Sequence, residues 1–276
     1  MIIGALREQR PFYWFIRISR PNASAIKRIS VLLSSRIQKP TEKMEANEMK
    51  ELLSFLRDLD NNNNRPWFNE HKERYLRVQK LWNRFCEELI RAIGAYDKDV
   101  AGLSLADCTY RIYRDTRFSK DKSPYKTHLG VFLAKGGKKS MHDGYYFHLG
   151  TGSSGEYPYA HMLAAGNYCY DPRAVKILRE DISEGWEEFS TQVLGSAGSD
   201  FVPDMEGALK RVPREYPADA PYADWMRMKS YCLIATTGDD FVLQDDLPRL
   251  VAERFRSTQP FIDYINRAVD YVNEEM

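Results

Sequence analysis

The sequence predicts an α+β fold: a small antiparallel sheet flanked by helices, in a single domain with a long N-terminal helix and a C-terminal closing helix. Two observations carry this. Apolar residues recur at helical spacing between Met49 and Gly94 and again after Asp171, whereas Cys108 to Leu163 falls into short β-rich runs cut by glycine. No repeat, low-complexity tract or linker divides the chain after Met44, so residues 44–276 are expected to form one domain.

Leu52, Leu53, Leu56 and Leu59 follow the i, i+3, i+4, i+7 rule of a short amphipathic helix, ended by Asp60-Asn61-Asn62-Asn63-Asn64. Pro66 suits the first turn of a second helix, whose stripe runs His71, Tyr75, Val78, Trp82, Phe85, Leu89 and Ile93 and closes at Gly94. Strands are expected over Cys108–Tyr113, Thr127–Ala134, Gly144–Gly150 and Tyr157–Leu163. Lys135-Gly136-Gly137-Lys138-Lys139-Ser140 forms the hairpin tip between the middle two, because paired glycines tolerate positive φ. Helices return at Asp171-Pro172, with Val175, Ile177, Leu178 and Ile182 on or near the buried side, and again over Trp186–Val193. Leu233–Thr236 reads as a further strand, and Asp245–Asn273 as a closing helix that Pro260 breaks or kinks.

Forty basic and 39 acidic side chains leave a net charge of +1, which argues against a whole-protein electrostatic grip on nucleic acid or an anionic membrane and confines such contacts to a local patch. Cys86, Cys108, Cys169 and Cys232 stand far apart without a CxxC pair and read as reduced core thiols. No apolar run approaches the ~18 residues of a membrane span, so a cytoplasmic protein without membrane contact is expected. Residues 1–43 carry nine Arg or Lys against two Glu and fit no fold element. They are taken as a basic arm outside the domain, from an over-extended translation start; a transit peptide or membrane-touching arm is the alternative.

From Arg111 to Lys139 nine cations stand against two carboxylates, the densest charge imbalance in the domain. Guanidinium forks match the planar oxygens of phosphate and carboxylate, and aromatic neighbours such as Tyr113, Phe118 and Tyr125 suit a base or ring. The competing account is that Arg114, Asp115, Arg117 and Asp121 pair among themselves to fix an exposed loop, with the lysines solvated. Arg211 and Arg214, in Lys210-Arg211-Val212-Pro213-Arg214, either close over the same ligand or belong to a surface turn held by Pro213.

His128-Leu129-Gly130 and His148-Leu149-Gly150 repeat one pattern on the two strands of the glycine hairpin. A turn centred near Lys139 places His128 and His148 diagonally on one sheet face. Two neutral imidazoles beside a basic pocket suit general acid and base roles, which makes His148 and His128 the candidate catalytic residues; a structural, hydrogen-bonded role is the alternative. No third and fourth metal ligand appears at convincing spacing, so neither a metal nor a cofactor is expected. P-loop, GxSxG, HExxH and EF-hand motifs are absent from the sequence, which leaves enzyme activity open.

Taken together, several runs resemble one family. Phe55-Leu56 through Asn62-Asn63 to Trp67-Phe68 and Tyr75, the segment Arg111 to Thr127, Gly144-Tyr145-Tyr146-Phe147-His148-Leu149 and Lys210-Arg211-Val212-Pro213-Arg214 are similar to domain-of-unknown-function family number 2461. The likeness spans about Glu48 to Thr236 and has no counterpart for the first 43 residues. It implies the fold and brings no activity with it. It also marks Arg111, Arg114, Asp115, Arg117, Lys122, Tyr125 and Lys126 as a shared polar loop, which packing alone does not explain. Glu215 stands where the family often has a small residue, which puts the role of that turn in doubt.

The expectation is a protein that binds a phosphate-bearing ligand (a nucleotide, sugar phosphate or nucleic-acid end) through Arg111, Arg114, Arg117, Lys122 and Lys126, with Asp115 orienting the arginines. His-assisted phosphoryl or phosphodiester chemistry is its extension. The alternative is a non-catalytic module docking on an acidic protein partner. A concave site favours the ligand and a convex one the partner.

Overall fold

The computed structural model describes residues 43–152, 159–168 and 171–275, all within a unit that runs from Lys43 to Met276. The basic arm lies outside the described residues except for Lys43, as does Cys169.

Helix α1, Ala46–Asn61, opens with a capping box between Glu45 and Glu48 and buries Met49, Leu52, Leu53, Phe55, Leu56 and Leu59. Asn64 caps α2, Arg65–Glu70, by accepting from the Trp67 amide at 3.0 Å. The single long helix expected from Pro66 is broken at His71, whose backbone N and Nδ1 both bond the Trp67 carbonyl, at 3.0 and 2.9 Å. His71 therefore leaves the seam. Helix α3, Lys72–Gly94, carries the rest of it, with Tyr75, Val78, Trp82, Phe85, Leu89 and Ile93 buried.

The strand expected over Cys108–Tyr113 does not form. Ser104 and Asp107 make a capping box that winds Leu105–Cys108 into a single helical turn, α4. The chain beyond it makes only isolated bridges, Thr109 to Val131 and Tyr113 to Tyr125.

Five antiparallel strands form the sheet: β1 His128–Ala134, β2 Gly144–Gly150, β3 His161–Gly166, β4 Val202–Pro203 and β5 Cys232–Thr237, in the order β1-β2-β3-β5-β4. The hairpin register is the expected one, with His128 opposite Gly150 and Gly130 opposite His148. Gly136 and Gly137 turn its tip at φ +74° and +80°. Strand β3 runs on past Leu163 to Gly166, because the weak strand formers Ala164 and Ala165 are recruited by pairing on both sides; Tyr157 and Pro158 of the expected strand lie outside the described residues.

Helix α5, Pro172–Glu184, is followed by the short α6, Trp186–Glu188, and a π-helical turn, Phe189–Leu194. The short helices α7, Ala223–Arg227, and α8, Asp239–Val242, flank β5. The closing helix is two helices, α9 Leu247–Arg256 and α10 Gln259–Glu274, with Pro260 in the first turn of the second, where its missing N–H costs nothing.

Alternation along the strands gives the sheet two different faces. Leu129, Val131, Leu133, Tyr145, Phe147, Leu149, Leu163, Ala165, Leu233 and Ala235 join the helical core, where the Phe85 and Phe147 ring centroids stand 5.2 Å apart. Each fully buried Leu or Phe there contributes about 1.5–3 kcal/mol. The opposite face presents His128, Gly130, Phe132, Tyr146, His148, Met162, Ala164 and Cys232. Cys86, Cys108 and Cys232 are buried free thiols. Among the described residues no helix is long and apolar enough to cross a membrane.

Candidate functional site

A cavity of about 380 Å³ lies on the face of the sheet opposite the helical core. Its floor includes His128, Gly130, Phe132, Tyr146, Met162 and Ala164, and its rim includes Tyr110, Arg111, Lys126, Lys138 and Lys139. Four of the described lining residues are Lys or Arg, and none is Asp or Glu.

Two tertiary arrangements bring those cations together. Lys126 N donates to Ile112 O at 2.8 Å and Arg114 N to Pro124 O at 3.0 Å, a two-chain ladder that buries Ile112 and leaves Arg111 on the outside. Arg111 has no hydrogen bond or ion pair to a described residue. The hairpin tip, meanwhile, docks on α4: Lys138 N donates to Asp107 O at 2.8 Å and its Nζ bonds Ala106 O. The far side of the connection is tied to α10, where Asp270 accepts from Lys135 Nζ at 2.7 Å and pairs with His142 Nε2 at 2.9 Å. The ammonium groups of Lys126 and Lys138 lie 5.3 and 5.7 Å from the centre of the Tyr110 ring, within cation–π range.

His128 and His148 meet as their register requires, ring centroids 4.5 Å apart. His148 Nδ1 is 3.2 Å from the Tyr146 hydroxyl. Burial pushes His128 down to about 4, helped by Lys126 and Arg114, and His148 down to about 3, helped by His128 and His161. Both rings are therefore neutral at neutral pH. Only His128 lines the cavity. His148 is not among the lining residues and stands beside Tyr146 and His128.

Most of the basic loop is committed to itself. Arg114 Nη1 bonds Asp121 and the Ser123 carbonyl, the latter at 3.2 Å. Asp115 accepts from Arg117 Nη2 at 2.6 Å, and Lys122 Nζ donates to Thr116 O at 2.8 Å. The Arg117 side chain holds the Asp115 carboxyl down to about 2, and the bonds from Ser123 and Arg114 hold Asp121 near the same value. Among the described residues, the hydrogen bonds of the Asp115 carboxylate go to Arg117. Asp115, Arg117 and Lys122 thus shape the loop and line neither this cavity nor the smaller one beside it, whereas Arg114, though paired, lines that smaller one. Tyr125 is buried and stacks on Phe68, centroids 3.9 Å apart, so its ring anchors the ladder. Arg211 and Arg214 sit on an exposed turn and line neither this cavity nor a second one of about 320 Å³ beside it. That second cavity is lined by Arg65, Asn69, Tyr113, Arg114, Thr116, Pro124 and Tyr125.

Several participants were not singled out from sequence as site residues. Asn63 clips the ladder to the helices, donating from Nδ2 to Tyr125 O at 2.9 Å and accepting from Tyr125 N at 3.1 Å. Tyr110, Lys138, Lys139 and Tyr146 join the cavity, and Arg65 joins the second. Interleaved aromatic and basic residues could have flagged Tyr110; no local signal marks Asn63 or Arg65. Among the described residues no group of three or more His, Cys, Asp or Glu is arranged to hold a metal ion.

Fold and site together define an α+β protein whose antiparallel sheet carries a helical core on one face and a basic cavity on the other. The chain belongs to the conserved hypothetical protein family DUF2461, whose family model matches residues 51–264. The match runs past Thr236 to take in α9 and the beginning of α10. Neither a curated protein nor a solved structure matches the chain.

Proposed function

We propose that the protein binds a small phosphate-bearing molecule in the cavity on the sheet face, with Arg111, Lys126, Lys138 and Lys139 supplying the positive charge. One observation carries this: four cations and no carboxylate among the described residues that line a cavity with Phe132, Tyr146, Met162 and Ala164 on its floor. Cations gathered this closely repel one another, and an anion among them relieves that repulsion. The fork of Arg111 suits a phosphate's paired oxygens, and the apolar floor suits a ring or base. About 380 Å³ lies within the range of small-molecule sites, ~300–1,000 Å³.

Binding needs only the cations. A phosphoryl or phosphodiester reaction would also need a proton acceptor, and neutral His128, at the cavity wall, is in the protonation state to serve. A cytoplasmic setting accompanies this reading, since Cys86, Cys108 and Cys232 are free thiols suited to a reducing compartment.

The test is a thermal-shift screen of the full chain against nucleotides, sugar phosphates and pyrophosphate, repeated with Arg111→Ala and Lys126→Ala. A ligand near 100 times its Kd stabilises by about 2.7 kcal/mol. A shift from one class that both variants lose supports the proposal; no shift from any phosphate compound refutes it.

A further inference from the structure

We infer that the phosphate-bearing ligand is the end of a single-stranded nucleic acid. Its terminal nucleotide enters the sheet-face cavity, and the nucleotides behind it cross the second cavity toward Phe118. The inference rests on the cavity being an anion site, and adds what the anion belongs to.

The two cavities flank one ladder. Tyr110, Arg111 and Lys126 line the first, and Tyr113, Arg114 and Tyr125 the second. Three residues of extended chain reach about 10 Å, so successive cation sites follow one another on the scale of successive nucleotides. The second cavity adds Arg65, whose side chain has no hydrogen bond or ion pair to a described residue, together with the polar side chains of Asn69 and Thr116. No described residue lining either cavity is acidic.

Aromatic rings stand exposed along the same path. Tyr110 is 42% exposed, Tyr113 44% and Phe118 95%, and each precedes or follows an arginine: Arg111, Arg114 and Arg117. The internal pairs of the loop, Asp115 with Arg117 and Asp121 with Arg114 and Ser123, fix the backbone on both sides of Phe118. Its exposure is thus built in. Cationic grooves interleaved with stacking rings are how proteins hold single strands without reading their sequence. A duplex offers phosphates but hides its base faces, and is too wide for a cavity of this size. A membrane or protein partner would call for a contiguous apolar patch, whereas these rings stand singly between charges.

The test uses the full chain and a fluorescently labelled oligothymidylate of about ten nucleotides, within the range one such site covers. Anisotropy is expected to show binding roughly tenfold tighter to the single strand than to the same sequence in a duplex, with Tyr113→Ala and Phe118→Ala each weakening it about fivefold or more. Thymidine monophosphate should still shift the melting temperature of both variants, because neither change touches the first cavity. The inference is overturned if the two variants bind the oligonucleotide like wild type, or if inorganic polyphosphate of equal charge competes as well as unlabelled oligonucleotide. In either case a retained monophosphate shift leaves the cavity proposal standing. Loss of every phosphate-induced shift in wild type overturns both.

Discussion

Gly130 lies directly opposite His148 in the β1–β2 ladder, and the Tyr146 phenol crosses it so closely that a Cβ there would stand 2.6 Å from the hydroxyl oxygen. The arrangement is reciprocal. Gly150 faces His128, and a Cβ on it would stand 2.7 Å from His148 Nε2. The repeated His-Leu-Gly pattern is therefore one device used twice: each glycine makes room for aromatic side chains, Gly130 for Tyr146 across the hairpin and Gly150 for His148 on its own strand and His128 across from it.

Gly130→Ala is expected to push the Tyr146 ring aside and break its contact with His148. Overpacking of this kind costs about 1–3 kcal/mol. Urea unfolding should show the loss, and the phosphate-induced thermal shift should fall with it, because Tyr146 lines the cavity.

The histidine pair makes stability depend on acid. Both folded-state pKa values are lowered below the ordinary 6.5, so the unfolded chain binds more protons wherever these groups titrate. Their contribution is fully present above about pH 6.5 and is lost as pH falls through 6.5 toward 4 and then 3. Urea midpoints at neutral pH and near pH 5 should fall further for wild type than for His148→Asn. Imidazole resonances titrating at the ordinary value would contradict the burial argument.

Asn63→Ala removes both bonds to the Tyr125 backbone and leaves a half-buried N–H and carbonyl without partners. The expected cost is about 1–3 kcal/mol. Amide exchange should quicken at the ladder's donors, Arg114 and Lys126, before it does in α3, because the clip holds the ladder and not the helices.

Asp121→Ala frees Arg114 and Ser123 together. Since Asp121 is exposed, global stability should hardly move. Limited proteolysis should reveal the change as new cleavage between Asp115 and Pro124. An intact loop in the variant would mean that the Arg114 pairing is incidental.

How far the sequence disclosed this molecule follows from the range of each interaction. Register was legible because it needs only two strands, a glycine turn and a repeated pattern, all within 23 residues from His128 to Gly150. The break at Pro260 was legible for the same local reason. The missing strand at Cys108–Tyr113 was not, since a capping box of polar residues outweighed β-rich composition. Nor could the sequence divide the basic segment. Arg114 and Arg117 were as good ligands for a phosphate as for Asp121 and Asp115, and only loop geometry decides between them. Lys138 and Lys139 read as a turn because the docking of Lys138 on α4 is tertiary. Asn63 vanished into a run of four identical residues, its role set by a partner 62 positions away.

The docking of the hairpin tip on Asp107 also bears on how the protein folds. The cavity takes Lys138 and Lys139 from that tip, Arg111 and Lys126 from the ladder that Asn63 clips, and its floor from three sheet strands. No one segment carries it. A chain with its helices formed but these distant meetings still unmade would have the helical signal of the finished protein and no place for an anion. Ligand capture during refolding should therefore lag behind circular dichroism and report the last joins to close.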